Sequence, residues 1–388
     1  MPDPIQIMKA DDELWQQYDA LATRSYGHPV GDITRLRPHA DIRVAVRDGK
    51  VIAGGLGLLV DQSFGGAPVP SAALSAGCVA PEERGARLSV NMLADRLRHL
   101  RDQGAVISTL WTTSGGYVRR LGWEAPVPVF AWSIATDDLK RGFTRSGLRI
   151  EHGRTKEADE LQRRLARQWN GPVIRPDWWS AWMDDKRQLT TYEFGSAQTT
   201  GVLSFSTTRS ERHGMDLTVH DFWAGDEETV GEMMAFLADH HTRAAVIHFR
   251  RSVLPPYPAL LHNLHRYRLT AQAWHPWMLR VLDLREAVRL RGWPADVDLT
   301  VPVEIESENG ENWDQHLLEV KDGVGQITTT HTAGGVRLTR RQLAVWYAGG
   351  YRTAAAARLA GVAARSDETL TRLVRSTADL EPWLPEHF

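Results

Sequence analysis

Residues 72–126 read AALSAGCVAPEERGARLSVNMLADRLRHLRDQGAVISTLWTTSGGYVRRLGWEAP, and this stretch decides the fold class. Residues 72–79 predict a strand that runs toward a proline, and residues 85–103 predict a helix that ends at a glycine. A second, buried strand follows at 105–110, and a glycine-bearing turn then leads to a short helix at 117–122. One face of the longer helix is apolar and carries Leu88, Met92, Leu93, Leu97 and Leu100. Strands and helices alternate, which indicates an α+β unit.

The flanking sequence continues this mixture over the rest of the chain. Asp48-Gly49 joins two extended runs and tolerates the positive φ of a tight hairpin turn. Asp322-Gly323 has the same chemistry in the last third. Helices are predicted at 11–23, 158–169, 177–185, 227–242, 340–347, 354–359 and 366–375. Strands are predicted at 42–47, 50–60, 127–134, 189–194, 200–206, 216–224, 244–249, 298–306, 316–321 and 326–330.

Composition narrows the class of protein. A chain of 388 residues exceeds what one hydrophobic core usually organises, so two or three domains are expected. The 46 basic and 48 acidic side chains leave a net charge of −2, which does not indicate a nucleic-acid partner. A single cysteine, Cys78, excludes an internal disulfide and a thiolate zinc site, and no metal is expected. An acidic N-terminal sequence and the lack of a long apolar run predict a cytoplasmic protein without a membrane partner.

The connection between the strand at 72–79 and the following helix has the form of an anion site. Backbone N–H groups near residues 85–89 would point outward at the helix N-terminus, where the helix dipole favours negative charge. A pyrophosphate fits there, and the backbone of residues 77–79 offers an edge along which an extended ligand arm could pair. An ordinary strand–loop–helix connection with nothing bound fits the same pattern, and topology alone leaves both readings open.

Residues 72–126 resemble the acyl-CoA-binding core of the GNAT acetyltransferases, and more narrowly that of the Eis (enhanced intracellular survival) family. Two other segments support the resemblance: RPDWWSAWMDD at 175–185 and WHPWMLRVLDLREAVRLRGWP at 274–294. The resemblance implies two GNAT-like domains, at 1–140 and 141–283, and a sterol-carrier-like domain at 284–388. It also implies a homo-hexamer.

The activity that the resemblance implies is transfer of an acyl group from acetyl-CoA or another acyl-CoA to an amine of a small molecule. Tyr117 would protonate the departing sulfur, and the terminal carboxylate of Phe388 would position or deprotonate the amine. The acceptor would lie near His28, Trp111 and His387. The residues expected to bind CoA are Gly77, Cys78, Val79, Arg84, Gly85, Ala86, Arg87, Leu88 and Ser89.

The sequence departs from the family pattern at three places. Arg87 stands where the family's phosphate-facing glycine usually lies, so its side chain would either block a phosphate or bind it. Glu82 and Glu83 place negative charge in the same loop. Val118 occupies the position of the family's general acid, and Tyr117 lies one residue earlier, so Tyr117 is either the acid or a core aromatic.

Other candidate residues have simpler interpretations. Cys78 is predicted to be a small core residue rather than a nucleophile. Trp178, Trp179 and Trp182 recur at helical spacing and are expected in a core or a subunit interface. Two other functions stay open for the chain: a GNAT scaffold used for a biosynthetic reaction without a CoA donor, and a non-catalytic small-molecule carrier.

Overall fold

The computed structural model describes residues 4–27, 36–85, 87–210, 214–249, 263–264 and 269–388. Its helices are α1 (Asp12–Tyr26), α2 (Leu88–Asp102), α3 (Gly115–Arg119), α4 (Thr136–Gly142), α5 (Lys156–Ala166), α6 (Asp177–Arg187), α7 (Glu227–Ala238), α8 (Leu284–Leu290), α9 (Arg340–Tyr347), α10 (Ala354–Leu359) and α11 (Asp367–Arg375). Short 3-10 turns lie at Arg37–His39, Pro81–Glu83 and Asp239–Thr242.

The strands of the described residues form three sheets. The first sheet contains β1 (Gln6–Lys9), β2 (Ala40–Arg47), β3 (Lys50–Phe64), β4 (Ala67–Val79) and β5 (Ile107–Trp111), and β13 (Trp277–Val281) closes it. The second contains β6 (Phe130–Ala135), β7 (Ile150–His152), β8 (Thr190–Phe194), β9 (Gly201–Ser210), β10 (Gly214–Ala224), β11 (Ala244–Phe249) and β12 (Leu269–Ala273). The third contains β14 (Leu299–Glu306), β15 (Trp313–Lys321), β16 (Val324–Thr329), β17 (Val336–Leu338) and β18 (Ala363–Ala364).

The first two sheets follow the same plan. Each has four antiparallel strands in succession, β1 to β4 in the first sheet and β7 to β10 in the second. The fourth strand then pairs in parallel with the next one, β4 with β5 and β10 with β11. An antiparallel strand follows in both sheets, β13 beside β5 and β6 beside β11.

That last strand comes from the other part of the chain in each case. β6 follows the first sheet in sequence but lies in the second, and β13 follows the second sheet but lies in the first. The two sheets therefore exchange equivalent strands across the predicted limits at 140 and 283. Because of this exchange, each of the first two sheets contains a strand from the other half of the chain, bound by backbone hydrogen bonds.

Local chemistry explains where the main elements begin and turn. The Asp11 carboxylate accepts a hydrogen bond from the Leu14 N–H and caps α1, which ends at Gly27 with φ +75°. Asp48 and Gly49 both adopt positive φ in the β2–β3 turn, as their residue types predict. Thr339 and Gln342 form a reciprocal capping box at the start of α9.

The α+β class is confirmed, since the described residues form three sheets with helices between their strands. Trp179 and Trp182, predicted for a core or an interface, are both 1% exposed within a single chain. None of the helices in the described ranges combines the length and apolar character needed to cross a membrane.

Candidate active site

A cleft opens where β4 and β5 separate. The parallel register pairs Ser71–Leu74 with Ile107–Leu110, and β4 then continues to Val79 while β5 ends at Trp111. On its other edge β4 bulges. Leu56 of β3 faces Ser75 and Gly54 faces Cys78, so the two residues at 76 and 77 stand opposite one, and Ala76 takes φ +47°. The bulge bends the strand at the mouth of the cleft.

Three side chains of α1 and α2 donate hydrogen bonds to carbonyl groups of the bulge. The Arg96 guanidinium of α2 donates to Ser75 O at 2.8 Å. The Tyr18 and Tyr26 hydroxyls of α1 donate to Ala76 O and Gly77 O, each at 2.6 Å. Three consecutive carbonyl groups are thus bound, which fixes the backbone conformation of this strand before any ligand arrives.

Arg96 is a buried cation at 4% exposure, and two glycines make room for it. A Cβ atom at Gly55 would lie 2.4 Å from Arg96 Nη1, and one at Gly77 would lie 3.1 Å from it. The guanidinium also donates to Leu56 O. Burial lowers its pKa, and the groups that face it electrostatically are Tyr18, Tyr117, Tyr26 and Cys78 rather than carboxylates. Positive charge therefore lies directly behind the Gly77 wall of the cleft.

A pocket of about 390 Å³ lies between β4, α1, the loop before α2 and the start of α3. Nine of the residues predicted for donor binding or catalysis line it: Gly77, Cys78, Val79, Arg84, Gly85, Arg87, Leu88, Ser89 and Tyr117. Ser25, Tyr26, Glu83 and Ser114 complete the wall. Ala86 lies outside the described residues.

The loop before α2 has the backbone of a glycine-rich turn. Gly85 adopts φ +98°, and Arg87 adopts φ +56° and ψ +12° as the N-cap of α2. Arg87 thus has the left-handed conformation that glycine favours, in keeping with its alignment to a glycine. No side chain within the described ranges caps this helix end.

The two glutamates of the loop are paired with arginines from neighbouring elements. Glu83 pairs with Arg47 of β2, and Glu82 lies 3.5 Å from Arg24 of α1. Arg47 therefore compensates the charge of Glu83 within the pocket wall, and the exposed Glu82 has Arg24 beside it. The ion pairs of the described residues include neither Arg84 nor Arg87, which leaves two cations beside the helix N-terminus.

Tyr117 and Val118 have opposite environments. Val118 is 1% exposed and packs in the apolar core with Leu93 and Leu97. Tyr117 is 37% exposed and lies in the pocket wall. Burial raises the pKa of the Tyr117 phenol, with Arg96 opposing that shift, so the hydroxyl is protonated at neutral pH and able to donate.

Cys78 lies in the pocket wall but is mostly buried. Burial raises the pKa of its thiol to about 11, in spite of a hydrogen bond from Ser25 and the charge of Arg96. A thiol in this state is a poor nucleophile, in agreement with the interpretation of Cys78 as a small packing residue.

The last residues of the chain cross the cleft between β4 and β5. Ser75 Oγ on β4 donates to Phe388 O at 2.6 Å, and Trp111 Nε1 on β5 donates to Glu386 O at 2.7 Å. The His387 ring lies 5.9 Å from that of Trp111. Phe388 is 5% exposed and meets Trp179 edge-on. Trp111, His387 and Phe388 are therefore brought together, whereas His28 lies outside the described residues.

A buried ionic network anchors this segment, and sequence analysis missed it. Glu386 accepts from the Val173 N–H at 3.0 Å and from Arg175 at 3.1 Å. Arg175 also forms two hydrogen bonds of 2.7 Å with Asp221, to which Arg154 donates at 3.2 Å. The contacts of this network join residues up to 213 positions apart in sequence, and no local pattern connects them.

Metal ligation has no support among the described residues, where no group of three or more His, Cys, Asp or Glu side chains could hold an ion. His240 contacts the Phe236 carbonyl and His241 contacts Lys140.

Comparison with known proteins agrees with this architecture. Two models described as acetyltransferase (GNAT) domains match residues 6–125 and 171–281, and a sterol carrier protein domain matches residues 284–385. The N-acetyltransferase Eis of Mycobacterium tuberculosis is 25% identical over 406 residues, which cover 95% of this chain and 96% of the relative. That of Mycobacterium bovis is 25% identical over 379 residues, or 91% of this chain and 85% of the relative. The chain belongs to the GNAT acetyltransferases and resembles the Eis enzymes over nearly its whole length.

Solved structures share the fold of this Eis-like chain over its full length. A GCN5-related N-acetyltransferase from Anabaena variabilis superposes with a TM-score of 0.87 at 24% identity, covering 99% of this chain and 100% of that one. One from Kribbella flavida gives 0.81 at 22% identity, covering 100% and 99%. The three-part arrangement is thus one that other GNAT proteins also adopt.

Proposed function

We propose that this Eis-like acetyltransferase transfers an acyl group from acyl-CoA to an amine of a small molecule. One pocket carries the proposal. In it the bulged part of β4, whose carbonyl groups accept hydrogen bonds from side chains of α1 and α2, meets the N-terminus of α2 and the Tyr117 hydroxyl. Each of these features supplies one requirement of acyl transfer from a thioester: a backbone edge, an anion site and a proton donor.

The donor would lie along the exposed edge of β4 with its pyrophosphate at the start of α2. Backbone groups of Gly77–Val79 would pair with the pantetheine arm in the manner of an added strand. The N–H groups at the beginning of α2 and the side chains of Arg84 and Arg87 would bind the pyrophosphate. The left-handed backbone at Arg87 and the pairing of Glu82 and Glu83 with arginines support this fit.

The chemistry is direct transfer. The amine nitrogen attacks the thioester carbonyl carbon, a C–N bond forms, and the C–S bond breaks as the tetrahedral intermediate collapses. The Tyr117 hydroxyl gives its proton to the departing sulfur, and the carboxylate of Phe388 receives the proton that the amine loses. Arg96, behind the Gly77 wall, stabilises the negative charge that develops first on oxygen and then on sulfur.

The acceptor would enter from the side where Trp111, His387 and Phe388 meet. His387 is an imidazole that attracts a polycation less than a carboxylate does, and Arg187 lies 3.3 Å from its backbone oxygen. This side therefore favours acceptors with one amine over highly charged polyamines.

Binding of acetyl-CoA tests the proposal directly. Calorimetric titration of the wild type should show saturable binding, and Arg87→Gly should weaken it by about ten- to a hundredfold, the loss of one charge-assisted contact. Arg352→Gln, an exposed arginine on the third domain, serves as the matched loss of one charge. Release of free thiol in the presence of a panel of monoamines and aminoglycosides then identifies the acceptor class. The proposal is contradicted if the wild type binds no acetyl-CoA at millimolar concentration, whether or not Arg87→Gly binds it.

The homo-hexamer and the cytoplasmic location belong to the same proposal. Trp179 and Trp182, two of the three tryptophans that suggested an interface, are buried within one chain, so the hexamer rests mainly on the resemblance to the family. Light scattering at micromolar concentration measures it, and the mass of a single chain, 43.5 kDa, would contradict it.

A further inference from the structure

Three arginines from separate parts of the chain converge on one carboxylate oxygen, away from the pocket residues. Arg101 lies near the end of α2, Arg280 on β13 and Arg340 at the start of α9. Their nearest nitrogens lie 3.8, 3.7 and 3.3 Å from Oε1 of Glu308, in the β14–β15 turn. At these distances the three guanidinium groups surround Glu308 without close hydrogen bonds to it.

The same place holds donors that have no acceptor. Nε of Arg280 and Nε of Arg340 are buried and without a hydrogen-bond partner in the described structure. So is Nε1 of Trp123, whose ring lies 4.8 Å beneath the Arg280 guanidinium. Buried donors are normally paired, and an unpaired group costs about 1–3 kcal/mol, so the two arginine donors beside Glu308 favour binding of a further acceptor.

The charges at this junction do not balance. Three cations face the carboxylate of Glu308, whose side chain is about half exposed. Among the described residues, Glu306 also contacts this group, where it accepts from the backbone N–H of Arg340. Burial, Arg340 and Arg101 together lower the pKa of Arg280 to about 10, with Glu308 opposing them. The site is therefore short of negative charge.

We propose that Arg101, Arg280 and Arg340 form a binding site for a phosphate group, with Glu308 in the place that the anion takes. A phosphate dianion carries one more negative charge than Glu308 and offers tetrahedral oxygens to donors that approach from three directions. Glu308 lies on an exposed turn, and binding of the anion would require that turn to move. The bound group is either inorganic phosphate or the phosphate of a monoester.

The site joins the first sheet to the third domain. Arg101 and Arg280 belong to elements of the first sheet and its helix, whereas Arg340 and Glu308 belong to the sterol-carrier-like domain. A bound phosphate would replace repulsion among three cations by attraction across this junction, and so stabilise the folded chain.

Titration with inorganic phosphate at constant ionic strength tests the proposal, with chloride as the reference salt. We expect saturable binding by calorimetry and a rise in Tm. Arg340→Gln should weaken binding by about ten- to a hundredfold, since it removes a charge-assisted contact. Glu308→Gln, at an exposed position that tolerates substitution, should strengthen it by removing the competing carboxylate. Arg341→Gln removes a neighbouring charge of the same helix that pairs with Glu124, and should change binding little.

Two variants separate this site from the proposed CoA pocket. Phosphate binding that survives Arg340→Gln but is lost in Arg87→Gln places the ion at the start of α2 and overturns the proposal. Equal binding in wild type, Arg340→Gln and Glu308→Gln, or no saturable binding in any of them, also overturns it. Titration with glycerol phosphate distinguishes the sources: binding as tight as that of inorganic phosphate assigns the site to monoesters, and much weaker binding assigns it to the free ion.

Discussion

The guanidinium of Arg96 donates to the carbonyl oxygen of Ser75 at 2.8 Å, directly behind the strand that forms one wall of the pocket. A buried cation with carbonyl rather than carboxylate partners is costly, and such groups are concentrated at functional sites. Here the same side chain serves two purposes. It donates to the carbonyl groups of Leu56 and Ser75 at the bulge, and it places positive charge next to the proposed reaction centre.

Replacing Arg96 by methionine should therefore impair both stability and turnover. The variant removes the guanidinium that donates to the carbonyl groups of Leu56 and Ser75, which should cost about 1–3 kcal/mol of unfolding free energy. Turnover should fall further than Tm predicts, because the charge that stabilises the leaving thiolate is lost. Urea unfolding and steady-state acetyl transfer measure the two effects.

Arg98→Met provides the matched control for Arg96, because Arg98 lies on the same helix but is largely exposed and pairs with Asp95. It should leave turnover close to the wild type. Arg96→Lys should recover part of the lost turnover, since it restores the charge without the forked geometry. Equal turnover in Arg96→Met and wild type would refute the electrostatic role.

A second prediction separates two tyrosines of the same pocket. Tyr117→Phe should lower kcat by roughly 10²–10⁴-fold, the usual contribution of a general acid, and leave acetyl-CoA affinity nearly unchanged. Tyr26→Phe removes the hydroxyl that donates to Gly77 O and should mainly loosen the strand, with a smaller effect on kcat. Steady-state kinetics with calorimetric binding distinguishes the two outcomes. A larger kcat loss in Tyr26→Phe would transfer the proton-donor role to Tyr26.

The pH profile of the wild type should carry the signature of Tyr117. Because burial raises the pKa of its phenol, the proton remains available at higher pH than for an unperturbed tyrosine. The alkaline decline in kcat that reflects this donor should thus lie above the ordinary tyrosine pKa of about 10, and it should vanish in Tyr117→Phe. An alkaline decline that persists in that variant belongs to another group.

Local sequence patterns account for most elements of the fold but not for their pairing across the chain. The helix at 340–347 and the strand at 244–249 are found at the predicted residues, because amphipathic spacing and caps are local properties. The exchange of β6 and β13 between the first two sheets was not predicted. Both are short strands of similar character, and nothing in their own residues decides which sheet each one joins.

Sequence analysis likewise identified some residues of the candidate site and missed others. Its loop and Tyr117 were identified because they are contiguous with the segment that resembles the family. Arg96 was missed although a signal was present: it lies four residues after Met92 and four before Leu100, on the buried face of α2. Arg175 carries no such signal, since its partners Asp221 and Glu386 are distant in sequence.

A fourth prediction concerns the reactivity of Cys78. With a thiol pKa of about 11, its thiolate fraction at pH 8 should be about a hundredfold lower than that of a thiol with the reference pKa of 9.0. Alkylation by iodoacetamide should be slow in the folded protein at pH 8 and fast after unfolding in urea, and it should accelerate with pH up to about pH 11. Mass spectrometry of the modified peptide follows the rate. Rapid modification of folded protein at pH 7 would show instead an activated thiol.

The last prediction concerns Asp221, which Arg175 and Arg154 hold in the network that anchors the C-terminal segment. Asp221→Asn removes the carboxylate between two buried arginines and should destabilise the protein by about 3–5 kcal/mol at pH 7. The two arginines hold the pKa of Asp221 well below its usual range against the effect of burial. A depressed pKa in the folded state means that this stabilisation is complete above the unfolded pKa of about 3.9 and is lost as the pH falls toward the folded value. The difference in unfolding free energy between wild type and Asp221→Asn should therefore be constant from pH 7 to 5 and shrink below pH 4.

Glu386 does not produce this loss of stability on acidification, because burial raises its pKa. Urea unfolding at pH 7, 5, 4 and 3 measures the trend, with the exposed Asp296→Asn as a control that should differ little from the wild type at every pH. A difference that grows on acidification, or one as small as that of Asp296→Asn at pH 7, would contradict an ionised Asp221 at the centre of the network.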